Sequence, residues 1–326
     1  MKEFIMNVIS KYSAFRDFYS GCATILMLHR VAPIEPNQIW PIEHLKVSPG
    51  FLESYINALI DQDYSFISLD QLHSLLASNK DFGKKIVFTL DDGYKDNYEV
   101  AYPIFKKYQI PFTVYITSAL PDYSARIWWY ALGDLLANHS DLYLGGINYA
   151  CQTTELKVAS YFAISEKIRS LNNSHQSEII EDFFKTYDID WPSYCKSLSL
   201  SWEQIEALAA DPLVTIGSHT ASHPVLSKLS PLDFVSEVQA CNSRIEEKIH
   251  QKPQHFAYPF GTRFEVLSRE FELIKQFSFR TSTTTRVGNI FKGHRSNLHA
   301  LPRIMLTENS KISDLYRPRL PRFRAK

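Results

Sequence analysis

Short apolar runs alternate with longer helical patterns along most of this chain, and that alternation restricts the fold more than any other feature. ATILMLHR (23 to 30) precedes a helical pattern over 49 to 61, KIVFTL (85 to 90) precedes one over 97 to 108, and FTVYI (112 to 116) follows. The rhythm resumes with SWEQIEALAAD, where Ser201 and Gln204 have capping-box spacing, and then PLVTIGSHT. A long helix from Pro231 to Ile249, HFAYPF, a helix near 264 to 276, SFRTSTT and a strand around LPRIML complete it. Repeats of this kind give parallel strands joined by crossover helices. Six or seven units exceed what a small open sheet needs, so the fold expected is α/β: a distorted (β/α) barrel of about seven parallel strands.

Residues from about 120 to 200, with IWWYALGDLL and DIDWPSYCKSLSLS, break the rhythm and read as a helical insertion decorating one face. The division expected is an N-terminal helix over 1 to 20, the barrel over 21 to 306 with that insertion, and a basic tail over 307 to 326 that contains RPRLPRFRAK. With 45% hydrophobic residues in 326, the chain can bury a core of this size. Its 35 basic and 35 acidic side chains cancel, which removes the global field needed to hold nucleic acid or anionic membrane by bulk charge. Cys22, Cys151, Cys195 and Cys241 lie far apart without a CxxC pair, so buried free thiols are expected. The first 30 residues lack the apolar core of a signal peptide, and no run of about 18 uncharged apolar residues occurs. The expectation is a cytoplasmic protein with no transmembrane segment, whose first helix can still touch a membrane peripherally.

In VFTLDDGYKDN (87 to 97) a strand delivers two adjacent carboxylates, Asp91 and Asp92, into one small space. Such a pair forms an ordinary turn or shares a bound cation that offsets the repulsion. IGSHTASHPVL supplies His219 and His223, four apart beyond another strand, with Pro224 discouraging a helix through them. Two imidazoles and one carboxylate, with a position left for water, is how catalytic zinc-type sites are built. In a barrel, chemistry gathers at the C-terminal ends of the strands, where Asp91, Asp92, His219 and Tyr258 all fall.

TLDDG and HTASH, together with FAYPFG downstream, resemble the first three motifs of the polysaccharide deacetylase family, the NodB-homology domain of carbohydrate esterase family 4, over roughly residues 20 to 306. The resemblance implies a distorted (β/α) barrel and one divalent metal ion, Zn2+ being the expected one, held by Asp92, His219 and His223. It makes Asp91 the general base. Tyr258, Pro259 and Phe260 would form a pocket corner, with the Phe260 main-chain N–H helping to hold an oxyanion. An arginine that often precedes this motif is replaced by Ala257, and Arg303 or Arg280 is a candidate substitute. The fourth motif has no clear counterpart in 279 to 290. For the acid that protonates the leaving amine, His29 in LMLHRV is preferred over His299 in NLHALPRI, because it ends the first strand. Trp128 and Trp129 are either a platform for a sugar ring or the packing anchor of the insertion.

The activity implied is removal of an acetyl group from an N-acetylated sugar of a polysaccharide, glycolipid or lipid-linked precursor, with that saccharide as the partner. The alternatives are hydrolysis of another amide or ester, such as a formamide or O-acetyl group, and a catalytically silent carbohydrate-binding relative.

Overall fold

Seven strands pair side by side, all parallel, and the last pairs back to the first. They are β1 (Ala23–Leu28), β2 (Lys85–Leu90), β3 (Phe112–Ile116), β4 (Val214–Ser218), β5 (His255–Ala257), β6 (Thr281–Val287) and β7 (Leu301–Met305). This closed barrel is seen in a computed structural model that describes residues 21–35, 38–78, 83–171 and 173–316. The expected N-terminal helix over 1 to 20 and the last ten residues of the basic tail lie outside the described residues. Two residues, Ser65–Phe66, extend the sheet beside the start of β2.

Burial explains why the strands read as continuous apolar runs: every residue of β1 and β3 is buried, as both faces of a parallel barrel are covered. Alternate residues divide between two cores. Ile25, Val87, Tyr115, Ala257 and Leu301 converge inside the barrel. Leu26, Phe88, Phe112 and Val114 pack outward beneath the helices Pro49–Ile60, Trp202–Ala209 and Pro231–Ile249. The helix Pro231–Ile249 has the bounds read from the sequence, with Ser230 capping its start and His250 closing it in the left-handed conformation. The Ser201–Gln204 capping box forms as expected. Near the site the helix begun by Asp96 opens with a π turn, Asn97–Ala101, whose Asn97 side chain donates to the His29 carbonyl at 2.9 Å.

The insertion between β3 and β4 is a subdomain with its own apolar cluster, including Leu132, Leu136, Ile164, Ile168 and Phe184. Helices Trp128–Asn138, Thr154–Ser170, Asn173–Lys185 and Trp191–Leu198 dominate it, but it is not purely helical. Asp141–Leu144 and Ile147–Ala150 form an antiparallel hairpin. Its two-residue turn, Gly145 and Gly146, has φ of +59° and +76°, the geometry of the turn that matches strand twist. No helix among the described residues is long and apolar enough to cross a membrane.

Candidate active site

Strand alternation places the first carboxylate. Val87 and, two residues on, Thr89 lie on the inner face of β2, so Asp91 also enters the barrel mouth. By the same alternation Asp92 would point outward. Its backbone is instead left-handed at φ +77°, followed by Gly93 at +94°, and this reversal turns its carboxylate toward the two histidines beyond β4.

Each carboxylate has its own counterpart. Asp91 is clamped by Arg303 of β7: Nη1 donates to Oδ1 and Nη2 to Oδ2, both at 2.6 Å. Arg303 also donates to Thr89 Oγ1 at 3.1 Å and to the Thr284 carbonyl at 3.0 Å, and both members of the pair are almost wholly buried. Burial pushes the Asp91 carboxyl up, but the Arg303 guanidinium outweighs it and holds the group below the usual carboxylate range. Arg280, the other candidate brace, pairs with Asp70 instead.

Asp92 faces imidazoles. Oδ1 lies 3.3 Å from His219 Nε2 and 3.4 Å from His223 Nε2, yet neither approach is a hydrogen bond and Oδ1 is buried without a partner. Three ligand atoms from Asp92, His219 and His223 lie within 4.8 Å of one another. Donors about 2.0 to 2.2 Å from a tetrahedral centre stand about 3.4 Å apart, which matches both spacings from Asp92 Oδ1 to the imidazole nitrogens. His219 Nδ1 is 2.7 Å from the Ala257 carbonyl, which can only accept, so Nδ1 carries the proton and Nε2 keeps its lone pair. The residues therefore fit a divalent ion of the zinc class. Burial lowers both imidazoles. Asp92 and Asp91 outweigh that at His219, whose pKa is raised, whereas His223 is lowered to about 4.

These groups open into one cleft of about 370 Å³. His29 lines it, and its Nδ1 is buried without a hydrogen-bond partner. His299 is elsewhere: it precedes β7 and meets Ser282 Oγ at 3.1 Å near the start of β6, at the N-terminal ends of parallel strands, whereas Asp92, His219 and His223 follow C-terminal ends. Phe260 lines the cleft with its ring 4.9 Å from that of His223. Tyr258 does not. Alternation turns it outward from β5, where it packs on Phe256 and Phe271 and donates to the His299 carbonyl at 2.9 Å. Pro259 serves the corner through its backbone, its carbonyl accepting from Gly261 N–H at 2.6 Å.

The tryptophan pair, Trp128 and Trp129, packs as the anchor of the insertion and also faces the cleft. Trp129 donates to Tyr94 Oη at 3.0 Å and sets its ring 5.0 Å from that of His223. Sequence reasoning missed Tyr161, Phe162, Ser165 and Arg169, which the insertion contributes to the same cleft, and His44. Only the helical spacing of 161, 165 and 169 could have signalled the first group. The insertion thus builds a wall of the cleft.

A family model described as polysaccharide deacetylase matches residues 78–274, more than half of the chain. The chain belongs to the polysaccharide deacetylase family. YxkH of Bacillus subtilis (strain 168), whose name places it among polysaccharide deacetylases, is 33% identical over 73 residues; the match spans 22% of this chain and only 26% of YxkH. The fold is similar to that of the Streptococcus pyogenes deacetylase PplD in complex with acetate, at TM-score 0.60 and 18% identity, covering 91% of this chain and 98% of PplD. IcaB from Ammonifex degensii gives TM-score 0.59 at 17% identity, with 91% of this chain and 98% of IcaB covered. A de-N-acetylase from Aggregatibacter actinomycetemcomitans gives 0.57 at 17%, with 89% and 97% covered.

Proposed function

We propose that this protein is a metal-dependent hydrolase that removes an acetyl group from an N-acetylated amino sugar. The observation that carries the reading is the pairing at the barrel mouth of Asp92 Oδ1, buried and unpartnered before two imidazole nitrogens, with Asp91 clamped beside it. Asp92, His219 and His223 would hold the divalent ion, zinc by its donor set, which when bound supplies a Lewis acid and eases deprotonation of water.

The rest is the work of this chain's own groups. Asp91 accepts the proton of the attacking water, and Arg303 fixes its orientation while keeping it ionised at neutral pH. The main-chain N–H of Phe260 stabilises the developing oxyanion. His29 delivers a proton to the departing amine. The aromatic walls, Trp128, Trp129 and Tyr161, exclude water and offer faces to a sugar ring. A sugar-binding relative without turnover would have no use for a buried, arginine-oriented base. Acetate release from a panel of N-acetylated oligosaccharides and glycolipids, with formamide and O-acetyl analogues alongside, tests the reading. No release by metal-loaded protein from any substrate would sink it.

A further inference from the structure

The insertion brings to the cleft a cation that the scheme above leaves unused. Tyr161, Ser165 and Arg169, four residues apart, form one stripe of the helix Thr154–Ser170 and line the cleft. Arg169 is half-buried. Its Nε donates to the Ser165 carbonyl at 3.3 Å, and its guanidinium carbon lies 6.0 Å from the centre of the Phe260 ring. Among the described residues no carboxylate pairs with it, whereas Arg303 is paired with Asp91 and Arg30 with Asp96. A guanidinium bonded to one carbonyl keeps most of its five N–H donors open. Around it the lining is largely apolar, with Met27, Pro41, Leu45, Trp128, Phe162 and Met305, and low polarity strengthens whatever charge interaction forms there.

We infer that Arg169 is a recognition site for an oxyanion carried by the substrate, a phosphoryl or carboxyl group attached to the acylated sugar or its immediate neighbour. The inference rests on the acyl-sugar reading above. One aromatic ring, Phe260, separates the guanidinium from the ligand His223, so the anion sits beside the reacting sugar and not several sugars away. Phosphate and carboxylate both match the arginine fork in two parallel hydrogen bonds, and a neutral sugar does not. The rival role is a brace, with Arg169 only steadying Phe260 through its ring.

Metal-loaded full-length protein is assayed with one N-acetylated amino sugar in three forms: methyl glycoside, 1-phosphate and uronic acid. The expected result is a kcat/KM for one anionic form about ten- to hundredfold above that for the glycoside, the value of a hydrogen-bonded charge. Arg169→Gln should bring that ratio close to one, and Arg169→Lys should keep part of it. Which anionic form shows the preference identifies the group. Calorimetric binding of the deacylated amino sugar 1-phosphate and of the amino uronic acid is measured on the same proteins, independent of turnover. If no form releases acetate but an anionic ligand binds in an Arg169-dependent way, the subsite stands and the deacetylase reading falls. If acetate is released without preference for an anion, or Arg169→Gln slows all three forms alike, Arg169 is a brace and the inference is overturned. Absence of Arg169-dependent binding of either anion also overturns it.

Discussion

Replacing Arg303 by Met should cost about 3 to 5 kcal/mol of folding stability near neutral pH, because it leaves a charge buried without its partner. Arg303 supplies four hydrogen bonds, two of them to Asp91 at 2.6 Å, from a side chain with no exposed surface. Met occupies much of the same volume, so the loss comes mainly from the stranded Asp91 carboxylate. Asp91→Asn in that background removes the charge, and the double variant should recover about half of the loss or more. The pH dependence has a definite sign. With Arg303 present the folded Asp91 pKa lies below its unfolded value, so the pair's stabilisation is present above the unfolded pKa and is lost as pH falls through the folded one. Without Arg303, burial, the largest influence, is opposed only by the weaker pull of His219 and His29, and the folded pKa should rise above the unfolded one. The folded variant then gains its proton first, and the penalty shrinks as pH falls. Urea unfolding of the four proteins of this cycle, with metal chelated, near pH 8 and near pH 5 measures both effects. An Arg303→Met protein within about 1 kcal/mol of the parent near pH 8, or a double variant no more stable than it, would refute the reasoning.

Asp91→Asn should lower acetate release by about 10² to 10⁴ while metal content stays close to parental, since the base is lost and the ligands are kept; loss of the metal, or near-parental activity, contradicts that role. His219→Ala should weaken metal binding well beyond tenfold, read by competition with a chromophoric chelator. Metal affinity should rise with pH as His219, whose pKa is raised, gives up its proton, whereas His223, lowered to about 4, is already neutral near pH 6; a flat profile between about pH 5 and 8 would count against it. Gly217→Ala should cost about 1 to 3 kcal/mol in urea unfolding, because the new Cβ would come 2.4 Å from the Tyr115 ring and 3.1 Å from the His255 carbonyl.

Much of the architecture was legible because it is written in local periodicity. Strand runs buried on both faces read as unbroken apolar segments, and Ser201, Ser230 and Pro231 mark helix starts through backbone chemistry that acts within a few residues. The candidate metal-ligand cluster was legible because each half is a short motif at a strand end. What stayed hidden depends on direction. Tyr258 and Phe260 are two residues apart in one motif, yet alternation from β5 sends Tyr258 outward, and a left-handed turn at Phe260 brings that ring into the cleft. His29 and His299 both neighbour strands, and only the polarity of those strands separates them. The hairpin had a signal, Gly-Gly between DLYL and INYA, which the surrounding helical pattern masked. Arg169 had only its helical spacing from 161 and 165, which does not show where the stripe points, because its place depends on how the insertion folds over the mouth.

Four non-glycine residues around the cleft, Asp92, Thr220, His223 and Phe260, hold φ between +58° and +77°. Such conformations cost of order 1 kcal/mol or more each and persist only where the surroundings fix them. Here each is fixed. The Asp92 carbonyl accepts from Thr117 N–H at 3.2 Å, and the Thr220 carbonyl accepts from Ser118 N–H at 3.3 Å. His223 N–H donates to Thr220 Oγ1 at 3.1 Å, and the Phe260 carbonyl accepts from Thr285 Oγ1 at 2.5 Å. Thr285 sits where the register of β6 against β7 shifts, so an irregularity in the sheet supplies the hydroxyl that locks the corner. Two of the three metal-ligand candidates and the residue proposed as oxyanion donor thus take orientations that regular strand geometry would not give. The barrel supplies a rigid frame, and the departures from regularity at its mouth aim the candidate catalytic and metal-ligating groups into one cleft.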